Sequence, residues 1–349
     1  IEAEANSLQA EDVVKLDLEL ALTAQMVRHV DYTNEYIDAV EAQIDLQTIR
    51  AAGLRVVIDP MYGVGRATLE TILTEARCRV TTIRGRHDPL FGGHSPAPDL
   101  KALGLLINTM REGRYNLGMA MDGDADRIAI VDEQGRFVPV NQVLLLLYYY
   151  LRGHRGERGG VVRNLATTHL LDRLAAHFGE TAYETPVGFK HIVAAMQAHN
   201  ALLGGESSGG LTIRGHILGK DGIFAAALFV EMLAVTGRTV SQLLEEIHGL
   251  VGRLYTLEVN VQTTSEMKLL LPRRLAETEV TAIGPHPVRH VSHLDGTKFL
   301  LDNDNWLLLR FSGTEPLLRI FAEADTPEKA QELVDWAKGL LPGEESEKV

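Results

Sequence analysis

Hydrophobic positions follow three different spacings along the chain, and each spacing predicts a different kind of element. In residues 1–50, apolar residues recur every three or four positions, which predicts two amphipathic helices. From Leu54 to about residue 250, short apolar runs alternate with glycine turns and helical patterns, which predicts strand–turn–helix units. After Gly252 the apolar residues alternate as in strands, and a final helix is expected over residues 327–341.

These patterns predict an α/β protein with two consecutive doubly wound α/β domains followed by a small α+β C-terminal domain. The helices of residues 1–50 offer too little apolar face for a domain, so we expect them to link to or pack on another part. The predicted boundaries are a helical tail and linker at 1–50, α/β domains at 51–156 and 157–250, and the α+β domain at 251–349.

Composition narrows the class of protein. The chain has 349 residues, 45% of them hydrophobic, which is enough for two or three hydrophobic cores. A formal net charge of −13 argues against a general nucleic-acid surface, so an anionic ligand must be met by a local basic cluster. The single cysteine, Cys78, excludes an internal disulfide and fits a reducing cytoplasm. Apolar runs stay well short of the roughly 20 residues of a membrane helix, so no membrane partner is expected.

An acidic segment, Asp122-Gly-Asp-Ala-Asp-Arg127, is the first candidate for chemistry and is named the metal loop. Three carboxylates this close repel one another unless a cation lies between them, and oxygen ligands favour Mg²⁺, or Mn²⁺ or Ca²⁺. A solvated acidic turn remains the alternative. An EF-hand loop fits the three aspartates and Glu133, but Arg127 occupies the position that requires glycine, and a strand pattern follows instead of a helix.

A glycine-rich loop, Gly204-Gly-Glu-Ser-Ser-Gly-Gly210, lies between two strand-like runs and is named the sugar loop. Glycine lets a ligand approach the backbone, while Glu206 and the serine hydroxyls can hydrogen-bond sugar hydroxyls. A flexible linker has a similar composition, although the flanking strand patterns weigh against it. Just beyond, Asp221 can cap the helix expected from Ile223, and Lys220 can point into a cleft.

A third candidate, Arg310-Phe-Ser-Gly-Thr-Glu-Pro316, is named the phosphate loop. Two hydroxyls, successive backbone N–H groups and a strand-borne arginine, with Arg319 three residues beyond the loop, are what a phosphate requires. The alternative is a capping box from Ser312 to Glu315, but Pro316 and a strand pattern follow where a helix would have to begin.

Two further motifs carry less information. Gly63-Val-Gly65 follows a strand as in dinucleotide sites, but it lacks the third glycine and an acid about 20 residues on. Ser95 lies between His94 and Pro96 without a recognisable base, which favours a structural turn over a nucleophile.

The three loops, in this order and at these separations, resemble the α-D-phosphohexomutase family. The similarity runs from about Leu54 to Leu341 and includes the strand Val57-Ile-Asp-Pro-Met-Tyr-Gly63 and the turn Ala166-Thr-Thr-His-Leu-Leu171. The resemblance implies a phosphoglucomutase or phosphomannomutase activity. Members of the family interconvert hexose 1-phosphates and hexose 6-phosphates through a phosphoserine enzyme and a hexose 1,6-bisphosphate intermediate.

The resemblance also assigns roles to individual residues. It makes Asp122, Asp124 and Asp126 the Mg²⁺ ligands, and Arg127 and Lys220 catalytic. Lys220 resembles a proton-transferring lysine of some members, and Gly210 stands where other relatives have histidine, so the acid/base residue stays open. The substrate-binding residues that it implies are Arg163, Gly188, Lys190, Glu206, Ser208, His216, Arg310, Ser312, Gly313, Thr314 and Arg319.

One family motif is absent from the sequence. The phosphorylated serine of the family lies in a Thr-Ala-Ser-His-Asn-Pro loop of an N-terminal domain, and these 349 residues contain no such segment. The expectation is therefore that residues 1–50 are the tail of that domain of the same polypeptide. The chain alone is then expected to bind hexose phosphates and Mg²⁺ weakly and not to turn over. Phosphoglucosamine mutase and a non-catalytic sugar-phosphate-binding protein are the alternatives.

Overall fold

The computed structural model describes residues 1–313 and 315–341 of the chain. Its α-helices are α1 (Glu2–Ser7), α2 (Leu18–Thr23), α3 (Thr33–Glu41), α4 (Leu46–Ala52), α5 (Thr68–Glu75), α6 (Gly104–Glu112), α7 (Val140–Tyr149), α8 (Leu170–His177), α9 (Phe189–His199), α10 (Gly222–Thr236), α11 (Val240–Val251), α12 (Ser265–Glu277) and α13 (Pro327–Lys338). Its strands are β1 (Arg55–Asp59), β2 (Arg79–Thr82), β3 (Leu117–Met121), β4 (Ile128–Val131), β5 (Phe137–Val138), β6 (Val161–Asn164), β7 (Ala182–Thr185), β8 (Leu203–Gly205), β9 (Leu211–Ile213), β10 (Tyr255–Gln262), β11 (Ala282–Ile283), β12 (His286–Ser292), β13 (Thr297–Leu301), β14 (Trp306–Phe311) and β15 (Leu317–Ala324).

The first sheet has the strand order β2-β1-β3-β4-β5. Strands β2, β1 and β3 are parallel, and β4 and β5 add an antiparallel edge. The side chains of Val56, Val57 and Ile58 in β1 are fully buried, as expected for a strand covered on both faces. The metal loop connects β3 to β4, so it lies at the carboxyl end of the parallel strands.

The second sheet has the order β7-β6-β8-β9, with β6, β7 and β8 parallel and β9 antiparallel. Helix α10 is buried along its length from Gly222 to Leu233, because it is apolar on every face and lies in a core shared by the first two sheets. This shared core fixes the metal loop of the first sheet relative to the sugar loop between β8 and β9.

The C-terminal sheet is antiparallel, in the order β10-β15-β14-β13-β12-β11. Helix α13 packs on it, and side chains such as Leu307, Ile320 and Leu333 form a separate core. The phosphate loop joins β14 to β15 at one end of this sheet. Two mixed α/β sheets followed by an antiparallel α+β part confirm the predicted fold class.

The N-terminal region departs in part from the sequence prediction. The sequence pattern predicts two amphipathic helices in residues 1–50. In place of the first, the structure has the short helices α1 and α2, and Val13, Leu16 and Leu20 are exposed. A helix whose apolar face is not covered gains little from packing, and short helices are marginal by propensity alone. The second predicted helix is α3, which packs Ile37 and Val40 into the core of the α/β sheets, as expected for a segment that packs on another part.

The apolar helices also bear on membrane insertion. Within the described residues, no single helix is long and apolar enough to cross a bilayer. Helices α10 and α11 pass that length and composition test only as a pair, which is bent by 81°.

Candidate active site

The metal loop brings its three carboxylates together. Asp122, directly after β3, is buried, whereas Asp124 is exposed and Asp126 half-buried. One carboxylate oxygen from each lies within 4.8 Å of the others. The tight turn depends on Ala125, whose φ of 60° is left-handed. Oxygen donors at this spacing fit a hard divalent cation such as Mg²⁺.

Arg127 closes the metal loop onto its first residue. Its backbone N–H donates to Asp122 Oδ1 at 3.0 Å, and its Nε donates to Asp122 Oδ2 at 2.5 Å and lies 3.5 Å from Asp126 Oδ1. Burial raises the pKa of Asp122, and the bonds from Arg127 offset this only in part. Strand β4 follows directly, as the sequence pattern predicts, so the loop is not an EF-hand.

Two glycines hold the metal loop from opposite sides. Next to Gly63, the N–H of Val64 donates to Gly123 O at 3.0 Å, and a Cβ at position 63 would lie 2.5 Å from that oxygen. On the other side, Gly222 N donates to Ala125 O at 2.9 Å at the start of α10. The Gly63-Val-Gly65 turn therefore packs against the metal loop, a role that a dinucleotide interpretation would have missed.

The sugar loop has a fixed carboxylate. Glu206 is buried, and its Oε1 accepts hydrogen bonds from Gly188 N at 3.0 Å and from Asn164 Nδ2 at 3.2 Å. Ser207 N donates to Thr167 Oγ1 at 3.1 Å. These contacts, and the pairing of β8 with β9, distinguish the loop from a flexible linker.

Lys220 connects the metal loop to the sugar loop. Its Nζ lies 3.3 Å from Asp126 Oδ2 and 5.5 Å from the centre of the Phe189 ring, and its stem covers Gly210. The neighbouring Asp221 caps α10 by accepting from Phe224 N at 2.9 Å, which confirms the capping prediction. Lys220 is thus held where two loops meet.

The phosphate loop presents two arginines side by side. Arg310 in β14 and Arg319 in β15 are direct partners in the antiparallel register. Ser312 is buried, its Oγ accepts from Glu315 N at 3.2 Å, and β15 begins two residues later, so this bond closes a turn and not a helix cap. Gly313 is exposed, and Thr314 lies outside the described residues.

A cleft with a volume of about 350 Å³ separates the sugar loop from the C-terminal sheet. Six residues expected from the sequence line it: Gly188, Glu206, Ser208, Lys220, Arg310 and Arg319. Hydroxyl-binding groups therefore face guanidinium groups across a space of the size of a small polar ligand.

Arg163, Lys190 and His216 are also expected to bind substrate, but they do not line the cleft. Arg163 is buried in ion pairs with Asp172 and Glu184, which satisfy its guanidinium inside the protein. The ring of His216 lies between Asp221 Oδ2, at 2.7 Å, and the stacked ring of Phe224. Lys190 is exposed on α9 and is not among the residues that line the cleft.

The cleft also contains residues that the sequence prediction did not select. Asn164 ends β6 and orients Glu206, and a polar residue at the carboxyl end of a buried parallel strand is a signal that could have identified it. Glu258 of β10 also lines the cleft. Asp295, which pairs with Arg310, lies in an Asp-Gly turn that indicates only a hairpin in the sequence.

Comparison with known proteins identifies the family of the chain. Three sequence models of one family match the chain in order: phosphoglucomutase/phosphomannomutase alpha/beta/alpha domain II over residues 34–135, alpha/beta/alpha domain III over residues 139–249 and the C-terminal domain over residues 258–337. The chain belongs to the α-D-phosphohexomutase family.

Individual relatives carry two kinds of name. A phosphoglucomutase/phosphomannomutase of Thermococcus kodakarensis is 31% identical, and the match covers 90% of this chain and 66% of the relative. A probable phosphoglucosamine mutase of Pyrococcus furiosus is 34% identical over 89% of this chain and 66% of that protein. The chain thus spans about two thirds of the length of these relatives.

Solved structures share the fold. A putative phosphomannomutase from Thermus thermophilus superposes with a TM-score of 0.77 at 32% identity, covering 90% of this chain and 67% of that one. The N-acetylphosphoglucosamine mutase of Aspergillus fumigatus, solved with GlcNAc-6P and magnesium, has a TM-score of 0.60 at 15% identity over 88% and 70%. The second likeness concerns the fold alone.

Proposed function

We propose that this chain carries the metal, sugar and phosphate sites of an Mg²⁺-dependent phosphohexomutase that interconverts hexose 1-phosphate and hexose 6-phosphate. Glucose is the first proposed hexose and mannose the second. The observation that carries the proposal is the cleft in which Glu206, Ser208 and Lys220 face Arg310 and Arg319. A hexose phosphate needs both acceptors for its hydroxyls and donors for its phosphate.

The sugar loop would orient the hexose. Because the oxygen Oε1 of Glu206 is held by Gly188 N and Asn164 Nδ2, its carboxylate is fixed before the ligand arrives. The guanidinium groups of Arg310 and Arg319 would hold the phosphate that does not react, which lets the same cleft accept either phosphate ester.

The metal loop would serve the reacting phosphate. Asp122, Asp124 and Asp126 would hold Mg²⁺, which when bound neutralises charge on a transferring phosphoryl group. Arg127 is fixed beside these carboxylates and adds a second positive group. Lys220 Nζ, which lies in the cleft and 3.3 Å from Asp126, would exchange a proton with a sugar hydroxyl.

The phosphoryl donor is proposed to come from outside these residues. The sequence has no Thr-Ala-Ser-His-Asn-Pro segment, so the phosphoserine would be supplied by another part of the same polypeptide. On this proposal the hexose 1,6-bisphosphate forms only when that part is present. The chain alone would bind hexose phosphates without converting them.

A second candidate is phosphoglucosamine mutase activity. It is favoured by the names of relatives such as those of Methanopyrus kandleri and Pyrococcus furiosus, at 33% and 34% identity. Both candidates use the same cleft and differ in the group at the 2-position of the sugar.

Calorimetric titration of the chain with glucose 1-phosphate, mannose 1-phosphate and glucosamine 1-phosphate, with and without Mg²⁺, tests the proposal. Saturable binding of at least one hexose phosphate is expected, and the preferred sugar separates the two candidates. Absence of binding for all three would contradict the proposed function. Mutase turnover by the 349-residue chain alone would contradict the external phosphoserine.

A further inference from the structure

The turn between β12 and β13 joins the C-terminal sheet to the sugar site through Asp295. The Oδ2 atom of Asp295 accepts two hydrogen bonds, from Arg310 Nε at 2.9 Å and from Val187 N at 3.0 Å. Both charged side chains are mostly buried, with 27% of Asp295 and 20% of Arg310 exposed. One carboxylate oxygen therefore contacts both the arginine of the phosphate loop and the backbone that leads into α9.

The bond to Val187 has a counterpart one residue further along the chain. Gly188 N donates to Glu206 Oε1 at 3.0 Å, so two consecutive backbone N–H groups bind carboxylates from different parts of the site. Asp295 orients the phosphate arginine, and Glu206 belongs to the sugar loop. The two carboxylates are therefore held by adjacent backbone N–H groups, those of Val187 and Gly188, and this spacing sets the distance between them.

Phosphate affinity alone does not account for Asp295. Arg310 lies directly opposite Arg319 in the register of β14 and β15, and both line the cleft. A carboxylate on Arg310 offsets its charge and competes with any incoming anion. A site selected only for phosphate affinity would gain from losing this carboxylate, so the geometry that Asp295 imposes has to outweigh the electrostatic cost.

We propose that Asp295 is a positioning residue that fixes the phosphate arginine relative to the sugar loop and so makes the cleft prefer a hexose phosphate over phosphate alone. This inference rests on the proposed function, because it specifies how the same cleft distinguishes a hexose phosphate from phosphate. A phosphate ester of a hexose needs the guanidinium of Arg310 and the carboxylate of Glu206 at one separation, whereas inorganic phosphate needs only the guanidinium.

The C-terminal sheet is also attached to the second sheet by contacts that do not involve Asp295. Lys298, three residues further on and fully buried, donates through Nζ to Leu165 O at 2.8 Å and to Glu184 Oε2 at 2.6 Å. Removing the Asp295 carboxylate is therefore expected to loosen the position of Arg310 without detaching the C-terminal sheet from the second sheet.

The test compares two ligands by calorimetry in the 349-residue chain, glucose 6-phosphate and inorganic phosphate. For Asp295→Ala, the Kd for glucose 6-phosphate is expected to rise about tenfold, as expected for the loss of a charge-assisted hydrogen bond, while the Kd for inorganic phosphate stays unchanged or falls. Asp295→Asn keeps an acceptor oxygen for both donors and should retain the wild-type ratio of the two Kd values within about threefold.

The matched control is Asp302→Ala. Asp302 also pairs with an arginine of the C-terminal sheet, Arg289, at 2.7 Å, but on the exposed surface, and neither Kd should change. Equal weakening of both ligands in Asp295→Ala would show a general effect on the loop and overturn the inference, and so would equal tightening of both. A wild-type chain that binds phosphate but no hexose phosphate would contradict the proposed function itself, and the inference with it.

Discussion

The contact between Gly63 and the metal loop gives a substitution with a calculable effect. The backbone at Gly63 has φ −80° and ψ −169°, which alanine adopts freely, so only the new methyl group matters. Its Cβ would lie 2.5 Å from Gly123 O and 2.8 Å from Gly123 Cα. Because carbon contacts are favourable near 3.5–4.0 Å, the metal loop has to move by about 1 Å in Gly63→Ala.

The displaced atoms are backbone atoms, which cannot rotate away from the methyl group. Overpacking of this kind costs about 1–3 kcal/mol, and the reduced entropy of the unfolded alanine chain offsets about 0.4–1 kcal/mol of it. We expect Gly63→Ala to lower the free energy of unfolding by about 1–2 kcal/mol. Since Mg²⁺ tolerates little distortion of its ligands, the affinity for a divalent cation should fall by about tenfold or more.

Urea unfolding measures the first effect, and electron paramagnetic resonance titration with Mn²⁺, competed with Mg²⁺, measures the second. Gly249→Ala is the matched control, because a Cβ on this exposed residue of α11 meets no atom within 4 Å. It should raise stability by about 0.5–1 kcal/mol and leave Mn²⁺ binding unchanged. Wild-type stability and wild-type Mn²⁺ affinity in Gly63→Ala would refute the contact as a determinant of the metal loop.

Two further predictions concern buried charges. Glu206→Ala should lower the free energy of unfolding by about 2–4 kcal/mol, because Gly188 N and Asn164 Nδ2 lose their acceptor, and Glu206→Gln, which keeps Oε1, should lose less in the same urea titration. Desolvation by burial, with repulsion from Arg163, lowers the pKa of Lys298 to about 8, so the unfolded state binds more protons than the folded state between pH 8 and the ordinary pKa of 10.5. The stability linked to this lysine is therefore complete above pH 10.5 and is lost as the pH falls from 10.5 through 8. The free energy of unfolding of the wild type, relative to that of Lys298→Met, should rise by about 1–2 kcal/mol from pH 7 to 9.5. A difference in stability between the two proteins that stays constant from pH 7 to 9.5 would contradict the lowered pKa of Lys298.

Local sequence patterns were sufficient to predict the fold class and to locate the three loops, because each strand, helix and loop has a characteristic pattern within a short stretch of sequence. The metal loop combines closely spaced aspartates with a strand pattern, and the structure shows a turn between β3 and β4 there. The sugar loop could be located for the same reason, since strand patterns flank its glycines on both sides. Such features are local, so a single sequence suffices to find them.

Features set by tertiary packing could not be read in this way. Arg163 and His216 carry groups suited to ligands, but their polar atoms pair inside the protein with side chains from other elements, Glu184 for Arg163 and Gln43 for His216. Asp295 enters the site through its contact with Val187, which is 108 residues away in sequence, so its role depends on how the C-terminal sheet packs. The exposed Val13 and Leu16 show the converse case, in which helical spacing is present but no packing surface covers it.

Calorimetric titration of the 349-residue chain with glucose 6-phosphate tests the central claim most directly, because the claim is that one cleft binds a sugar and a phosphate together. The account predicts saturable binding that both Glu206→Gln and Arg319→Ala weaken by about tenfold each, since each removes a charged partner on one side of the cleft. Binding that is absent, or that neither substitution changes, would contradict it.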